Sequence, residues 1–588
     1  MHASPRRPVR RSAFGTGACV AAAPMAALLL ALALAGCAPN GTAEPAADLV
    51  LLGGRIATLD PARPEAEAVA ARDGEIVFVG SSADARGLIG DGTEIIELAG
   101  ERVIPGFIEG HAHFYGVGQM KLQLDLTRAA SWQEIVDLVA DAARQAEPGE
   151  WITGRGWHQS KWSAPPPDAI QGLPRHHPLS AVSPESPVVL THASGHASFV
   201  NAKAMELAGI DRTTPDPEGG TIVRDESGEA IGMLRETAQG LVGRARPGGF
   251  DEAEARRVIA LAAEESLSKG VTSFQDAGSS FELIDLYRRM AEAGELPIRL
   301  WVMVREPNQR LAAGLAGARV IGAGDEHLTV RGIKKSIDGA LGAHGAWLLE
   351  SYEDLPQSAG LNTTPVDEIE EAARLALEHE LQLCVHAIGD RANRETLDIF
   401  EQAFESAEVD GEELRWRIEH AQHLSPEDIP RFAELGVIAS MQAVHATSDG
   451  PWVPSRIGDR RAQEGAYVWR SLLDSGAVVI NGTDAPVEDV SPIASYAASV
   501  TRRMNDGEVF YPQQRMTREE ALRAYTQAAA FAAFEEDRKG TIELGKLADL
   551  VVLSGDLLSA PEEELEDIEV LWTIVGGEVR YRREGGGT

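Results

Sequence analysis

The fold signal is strongest in Val103-Ile104-Pro105-Gly106-Phe107-Ile108-Glu109-Gly110-His111-Ala112-His113. The apolar first half of this segment is typical of a buried strand, and the second half ends in two histidines one residue apart. Because side chains alternate between the two faces of a strand, both imidazoles share one face of the strand end. The segment therefore predicts a buried strand that delivers two histidines to one place.

Seven later segments repeat this pattern of a short apolar run that ends in polar residues, and helical patterns lie between them. The eight candidate strands span residues 103–113, 271–276, 298–304, 333–338, 383–386, 417–420, 437–442 and 478–484. Alternating strands and helices favour parallel βα units, so the fold class is α/β. Eight units predict a (β/α)8 TIM barrel with its site at the C-terminal strand ends, where the polar residues fall.

The two ends of the mature chain look like parts of one unit. Strand-like segments over 47–56 and 548–553, together with the turn at Gly576-Gly577, predict a small β-sandwich built from residues 47–103 and 536–588. The barrel then occupies residues 104–535. Because the stretch between the first two barrel strands is too long for an ordinary connection, we predict a large insertion after barrel strand 1, a lid subdomain over about 120–250. Residues 251–269 fit an amphipathic helix leading into the second strand.

The first residues of the chain have the pattern of an export signal. Arginines between positions 6 and 11 precede an apolar run over 18–35, and Leu34-Ala35-Gly36-Cys37 follows. This pattern resembles a bacterial lipoprotein signal peptide over 1–36, with lipidation at Cys37 and a tether over 37–46. A transmembrane helix is the alternative, but arginines flank the run on one side only. We expect a lipoprotein of the cell envelope, on the periplasmic or outer face of a membrane, with the lipid as its only membrane contact.

Charge and cysteine content narrow the function further. The 588 residues include 90 acidic and 54 basic side chains, and the formal net charge is -36. Such acidity repels phosphate backbones, so nucleic acid is not an expected partner. After removal of Cys19 and lipidation of Cys37, Cys384 is the only free thiol, and its position favours a small buried thiol over a nucleophile. A monomer and a homo-oligomer are both compatible with the sequence.

Four further candidate metal ligands occur in strand order at later strand ends: Lys334, His386, His420 and Asp484. Taken singly, each histidine could be an ordinary core or surface residue, and Asp484 could cap a helix. Imidazole and carboxylate ligands together suit a divalent transition metal, with zinc as the default. Strand parity separates the two adjacent lysines, because Lys334, Ser336 and Asp338 share one face of their strand and Lys335 lies on the other.

These ordered motifs resemble the amidohydrolase superfamily, specifically amidohydrolase family 3, the branch that includes N-substituted formamide deformylase. The resemblance covers about residues 47–580. The matching motifs are residues 105–113, Ser194-Gly195-His196 with Asn201, Gly270-Val271-Thr272-Ser273, residues 334–339, residues 386–392, Glu419-His420-Ala421-Gln422, residues 482–486 and residues 545–550.

The resemblance implies a metal-dependent barrel with two divalent metals, zinc by default. It implies that His111, His113 and Asp484 hold one metal. It implies that His386 and His420 hold the second, and that a CO2-derived carbamate on Lys334 bridges the two. The implied activity is hydrolysis of a carbon–nitrogen bond in a small non-peptide amide or formamide-like substrate by a metal-activated hydroxide. Asp484 would act as general base and then as general acid.

Substrate contacts are expected from the loops, and the candidates are Trp157, His196 and His344. His196 is the first choice because it lies in a family motif within the predicted lid. His344 departs from the family pattern, which more often has a Ser-Arg pair near this point. Two alternatives stay open: deamination or cyclic-amide hydrolysis on the same site, and a lipid-anchored solute-binding protein with a vestigial metal site.

Overall fold

Eight parallel strands form the barrel in a computed structural model that describes residues 45–246 and 250–584. Each strand pairs with the next one along the chain. The strands are β1 Phe107–Ala112, β2 Val271–Ser279, β3 Arg299–Val304, β4 Leu328–Ser336, β5 Gln382–Ala387, β6 Arg417–His420, β7 Ile438–Met441 and β8 Val479–Asn481. The predicted α/β barrel is confirmed, and all eight candidate segments contribute a strand, several of them with shifted ends.

Strands β1 and β8 meet at their C-terminal ends. The Asp484 N–H donates to the His111 carbonyl at 2.8 Å, and the His113 N–H donates to the Ala485 carbonyl at 2.8 Å. These two bonds close the barrel at the end where a barrel enzyme carries its site.

Helices cover the outside of the barrel. The helix that leads into β2, Glu252–Ser268, begins after Asp251, whose carboxylate accepts hydrogen bonds from the backbone N–H groups of Ala253 and Glu254. This helix is the one predicted over 251–269. The helices that follow β2 to β8 are Phe281–Glu292, Asn308–Gly314, Val366–Glu378, Asp390–Ala407, Ile429–Glu434, Trp469–Ser475 and Pro492–Thr501, and Arg518–Ala524 and Gln527–Ala532 come after them.

The predicted first strand divides into two strands in different sheets. Arg102–Pro105 belongs to a sheet outside the barrel, and Phe107–Ala112 is β1. Gly106 joins them, and a Cβ atom at this position would lie 2.1 Å from Thr272 Oγ1 on β2. Glycine is therefore the residue that lets the chain pass from one sheet to the other at this close approach.

The ends of the described chain form two further sheets. The six-stranded sheet has the order Glu578–Arg582, Val570–Val575, Leu550–Leu553, Arg102–Pro105, Arg55–Ala57 and Glu65–Ala66. The four-stranded sheet has the order Glu75–Gly80, Ala68–Arg72, Leu49–Leu52 and Glu94–Glu97. Buried side chains of both sheets, among them Leu51, Val69, Leu550 and Ile574, share one apolar cluster. The two sheets thus pack face to face.

The long segment after β1 folds around its own sheet. This mixed sheet has the order Gly220–Arg224, Ala230–Glu236, Ala197–Val200, Val188–His192, Ile152–Trp157 and Leu124–Asp125. Its helices are Trp132–Ala143, His177–Val182, Ala202–Ala208 and Gln239–Gly243. Trp132, Trp157, Leu190 and Phe199 belong to an apolar core separate from that of the barrel.

The predicted signal peptide, Cys37 and most of the tether lie outside the described residues. Over the two described ranges, no helix is both long enough and apolar enough to cross a membrane.

Candidate active site

One half of the site forms where β1 and β8 end. His113 Nε2 lies 3.2 Å from Asp484 Oδ1, and His111 Nε2 lies 3.6 Å from the same oxygen. His111 is fully buried, whereas the His113 side chain is 30% exposed. The backbone bond between Asp484 and His111 holds the carboxylate beside these two imidazoles.

The other half comes from β5 and β6. The rings of His386 and His420 are 4.4 Å apart, and the His420 ring is 4.8 Å from that of His111. His420 has a φ of +77°, so the backbone turns sharply where β6 ends. Burial is the largest cause that lowers the pKa of His386 and His420 well below the ordinary 6.5. Both imidazoles are therefore neutral, the form in which histidine binds a metal.

The two adjacent lysines of β4 point to opposite sides. Lys334 is 2% exposed and lines a cavity together with His113, His386 and Asp484. Lys335 points away from this cavity, and its Nζ donates to the Glu306 carbonyl at 3.3 Å. Burial lowers the pKa of Lys334 to about 8, so about one amine in ten is neutral at pH 7.

A carboxylate and an amide side chain bind the Nδ1 atoms of two of the histidines and fix the orientation of their rings. His111 Nδ1 donates to Glu419, whose other oxygen accepts a bond of 2.7 Å from Arg417 Nε. His420 Nδ1 is 2.6 Å from Gln442 Oε1. Because each Nδ1 is engaged, each Nε2 is the ring nitrogen left to act as a ligand.

Several buried atoms in this cluster lack a hydrogen-bond partner among the described residues. They are His111 Nε2, His386 Nε2 and Asp484 Oδ1. One ligand atom from each of His111, His420 and Asp484 lies within 4.8 Å of the others. Since buried polar atoms are rarely left unsatisfied, these converging atoms fit a bound cation.

Two buried carboxylates that sequence reasoning did not assign to the site support the loops around it. Glu109 accepts bonds from the Thr483 N–H at 2.6 Å and the Thr483 hydroxyl at 3.1 Å, and it thereby fixes the turn before Asp484. Asp338 accepts bonds from the N–H groups of Trp347, Ile388 and Gly389. The available signal was parity, because Glu109 shares a strand face with His111 and Asp338 shares one with Lys334.

A cavity of about 540 Å³ opens from His386, His420 and Asp484 toward the inserted segment. His158, His192 and His196 of that segment line the cavity, as does Trp452. His196 Nδ1 lies 2.7 Å from Glu236 Oε2, and its ring is 4.9 Å from that of His386. Burial disfavours a charge on His196, but the nearby carboxylates Glu236, Asp484 and Asp338 together raise its pKa above the ordinary 6.5.

Two predicted substrate contacts lie elsewhere. Trp157 is fully buried in the core of the inserted sheet, where Nε1 donates to the Leu190 carbonyl at 2.8 Å. His344 lines a neighbouring cavity of about 380 Å³ and lies 3.1 Å from Asp354 Oδ1. Neither residue lines the two cavities at the metal-binding histidines, and the prediction that they contact substrate stays a prediction.

Comparison with known proteins agrees with the site. A model of the amidohydrolase family matches residues 94–581, so the chain belongs to this family, and the predicted membership of amidohydrolase family 3 is confirmed. It is 34% identical to Protein LONG AFTER FAR-RED 3 of Arabidopsis thaliana, over 91% of this chain and 92% of the relative. It is 31% identical to the putative amidohydrolase YtcJ of Bacillus subtilis, over 90% of this chain and 99% of the relative. It is 29% identical to the N-substituted formamide deformylase of Arthrobacter pascens, over 92% of this chain and 99% of the relative.

Solved structures share the fold. An uncharacterized metal-dependent hydrolase from Pyrococcus horikoshii aligns with a TM-score of 0.70 and 24% identity, over 88% of this chain and 99% of that one. Another from Pyrococcus furiosus aligns with a TM-score of 0.67 and 28% identity, over 87% and 100%. The chain is thus a metal-dependent hydrolase that acts on carbon–nitrogen bonds.

Proposed function

We propose that this protein hydrolyses a small non-peptide amide or formamide-like substrate. The observation that carries this proposal is the convergence of His111, His420 and Asp484, each with one ligand atom within 4.8 Å of the others, beside a cavity that His420 and Asp484 line. A cavity of about 540 Å³ has the size of a small-molecule pocket. Similarity to an N-substituted formamide deformylase supports the choice of substrate class.

The donor set suits two divalent metals, which we propose to be zinc. His111, His113 and Asp484 would hold one metal, and His386 and His420 would hold the other. A CO2-derived carbamate on Lys334 would bridge them, and this is supported by the burial of Lys334 in the same cavity as His113, His386 and Asp484. Glu419 and Gln442 would keep two of the imidazoles oriented.

Each group then has a task in amide hydrolysis. Bound metals would lower the pKa of a water molecule and polarise the substrate carbonyl. Asp484 would accept the proton of the attacking water and return it to the leaving amine, a general base and then a general acid. His196, held by Glu236 at 2.7 Å, would contact the substrate from the inserted segment. The intact buried donor set favours this activity over a vestigial site in a binding protein.

The proposal extends to the organisation of the whole chain. We propose a signal peptide over 1–36, a lipid on Cys37, a tether over 37–46 and a β-sandwich from residues 47–103 and 536–588. The barrel would occupy 104–535 with a lid over about 120–250. The apolar run and Leu34-Ala35-Gly36-Cys37 support an envelope lipoprotein on the periplasmic or outer face. A homo-oligomer remains compatible with this arrangement.

The test is turnover of a panel of N-substituted formamides, small amides, cyclic amides and deaminase substrates. Asp484→Asn should lower kcat on the formamide or amide substrate at least about 100-fold, because it removes the proton acceptor. Asp489→Asn is the matched control, since Asp489 is an exposed partner of Lys269 at 2.8 Å. Turnover confined to ring opening or deamination would contradict the proposed substrate class, and full activity of Asp484→Asn would contradict the role of Asp484.

A further inference from the structure

A second cavity, of about 430 Å³, contains the proposed metal-site residues at one end, and its other end has no role in the reaction as proposed. It shares His386, His420 and Asp484 with the larger cavity and extends past Lys334 to Arg155 and Arg305. These two arginines come from different parts of the fold, one from the inserted sheet and one from the barrel.

Arg305 directly follows β3. Because Val304 pairs with Ile333, Arg305 lies beside Lys334 at the C-terminal end of the barrel. Its stem passes close to Gly278, where a Cβ atom would lie 2.6 Å from Arg305 Cβ. The side chain is exposed and lines the cavity. Among the described residues, its guanidinium forms no hydrogen bond and no ion pair.

Arg155 belongs to the strand Ile152–Trp157 of the inserted sheet. Its Nε donates to the Pro486 carbonyl at 3.3 Å, and its Nη2 donates to the Ala193 carbonyl at 3.4 Å. Both acceptors are neutral, so these bonds orient the guanidinium without neutralising it. The cavity therefore contains two arginine charges that no protein carboxylate pairs with directly.

The nearby carboxylates are already engaged. Asp338 accepts three backbone bonds, and Glu236 is bonded to His196. Asp276 accepts bonds from the Phe114 N–H at 3.0 Å and from the Ser279 hydroxyl at 2.5 Å. Asp484 belongs to the proposed metal site. No described carboxylate therefore bonds directly to either guanidinium, and both remain open to an anion brought by the ligand.

We propose that Arg155 and Arg305 form a carboxylate subsite, and that the substrate is an amide with a carboxylate close to its scissile bond, as in an N-acylated amino acid. The planar guanidinium fork matches a carboxylate and forms charge-assisted hydrogen bonds with it. This inference rests on the proposed function, because it places the scissile bond beside Asp484. The net charge of -36 belongs to the whole chain, whereas this cavity is lined by three basic side chains, Arg155, Arg305 and Lys334, and by three acidic ones, Glu236, Asp338 and Asp484.

The first test compares N-formylphenylalanine with N-formyl-2-phenylethylamine, which differ only in the carboxylate. The metal-loaded full chain should show at least about a 10-fold higher kcat/KM for the carboxylate substrate. Arg155→Met and Arg305→Met should each lower this preference about 10-fold through KM, whereas Arg319→Met, at an exposed arginine outside both cavities, should keep it. A wild-type protein without the preference would overturn the subsite and leave the hydrolase proposal intact.

The second test does not need turnover. Calorimetric titration should show that the full chain binds 3-phenylpropanoate at least about 10-fold more tightly than 3-phenylpropan-1-ol, and that either arginine variant loses this difference. Metal content and thermal melting of each variant are measured on the same samples. Selective binding without hydrolysis of any amide would support the subsite while contradicting the proposed function. Equal propanoate affinity in wild type and variants, or loss of metal as the only effect of Arg305→Met, would overturn the subsite.

Discussion

At the scale of single residues, metal binding depends on the side chains that bond to the ligands as much as on the ligands themselves. Glu419 holds His111 Nδ1 and is itself held by Arg417. Glu419 stood next to His420 in a recognised motif, but the sequence could not reveal that it reaches across the barrel to β1. Ligand identity follows from residue type and strand position, whereas a supporting contact depends on how strands far apart in sequence meet.

Glu419→Gln tests this supporting contact. We expect the variant to bind its metals about 10- to 100-fold more weakly, because an amide holds the imidazole less strongly than a carboxylate does. Competition with a chelator, followed by elemental analysis, measures the change. Glu413→Gln is the control, since Glu413 is exposed. Metal affinity equal to wild type in a folded Glu419→Gln protein would show that Glu419 has only a structural role.

At the scale of elements, the sequence predicts where the strands lie better than it predicts which strands pair in one sheet. Apolar runs with polar ends located all eight barrel strands because strands buried on both faces read as continuous apolar segments. The same signal predicted one strand where the structure has two, Arg102–Pro105 and Phe107–Ala112, because an apolar run continues unchanged where the chain passes from one sheet to another. The mixed sheet of the insertion was not predicted, because its strands are short and irregularly spaced.

Gly106 is the position at which a substitution tests the joint between the two sheets. Gly106→Ala should lower the free energy of unfolding by about 1–3 kcal/mol, because the new Cβ would overlap Thr272 and force β1 and β2 apart. Denaturant unfolding followed by circular dichroism measures the loss. Gly87→Ala is the control, because a Cβ there would contact nothing within 4 Å. An unchanged unfolding midpoint for Gly106→Ala would contradict the close approach at this joint.

At the scale of the whole molecule, a buried ion pair connects the six-stranded terminal sheet to the barrel. Arg299 of β3 forms two bonds to Asp549, at 2.8 and 3.0 Å, and both side chains are almost fully buried. Asp549 also accepts the Gly576 N–H at 2.8 Å. The Ala548-Asp549-Leu550 segment therefore joins the six-stranded sheet to the start of barrel strand β3.

Export is the other prediction at this scale. Cys37→Ala should abolish incorporation of a labelled fatty acid and should shift the protein from the membrane fraction to the soluble fraction, because the lipid is the proposed anchor. Metabolic labelling and fractionation in a bacterial host measure both effects. Cys384→Ala, at a buried thiol inside the barrel, is the control and should keep the label. Persistent labelling of Cys37→Ala would contradict lipidation at this residue.

The central claim is that Lys334 completes a two-metal site, and metal content per chain tests it most directly. Protein that begins after Cys37, produced with zinc and bicarbonate, is analysed by elemental mass spectrometry as wild type, Lys334→Ala and Lys335→Ala. The adjacent Lys335 is the matched control because it bonds to Glu306 and points away from the site. We expect about two metals in wild type and Lys335→Ala and a sharp fall in Lys334→Ala. Little metal in wild type, or equal content in all three proteins, would contradict the claim.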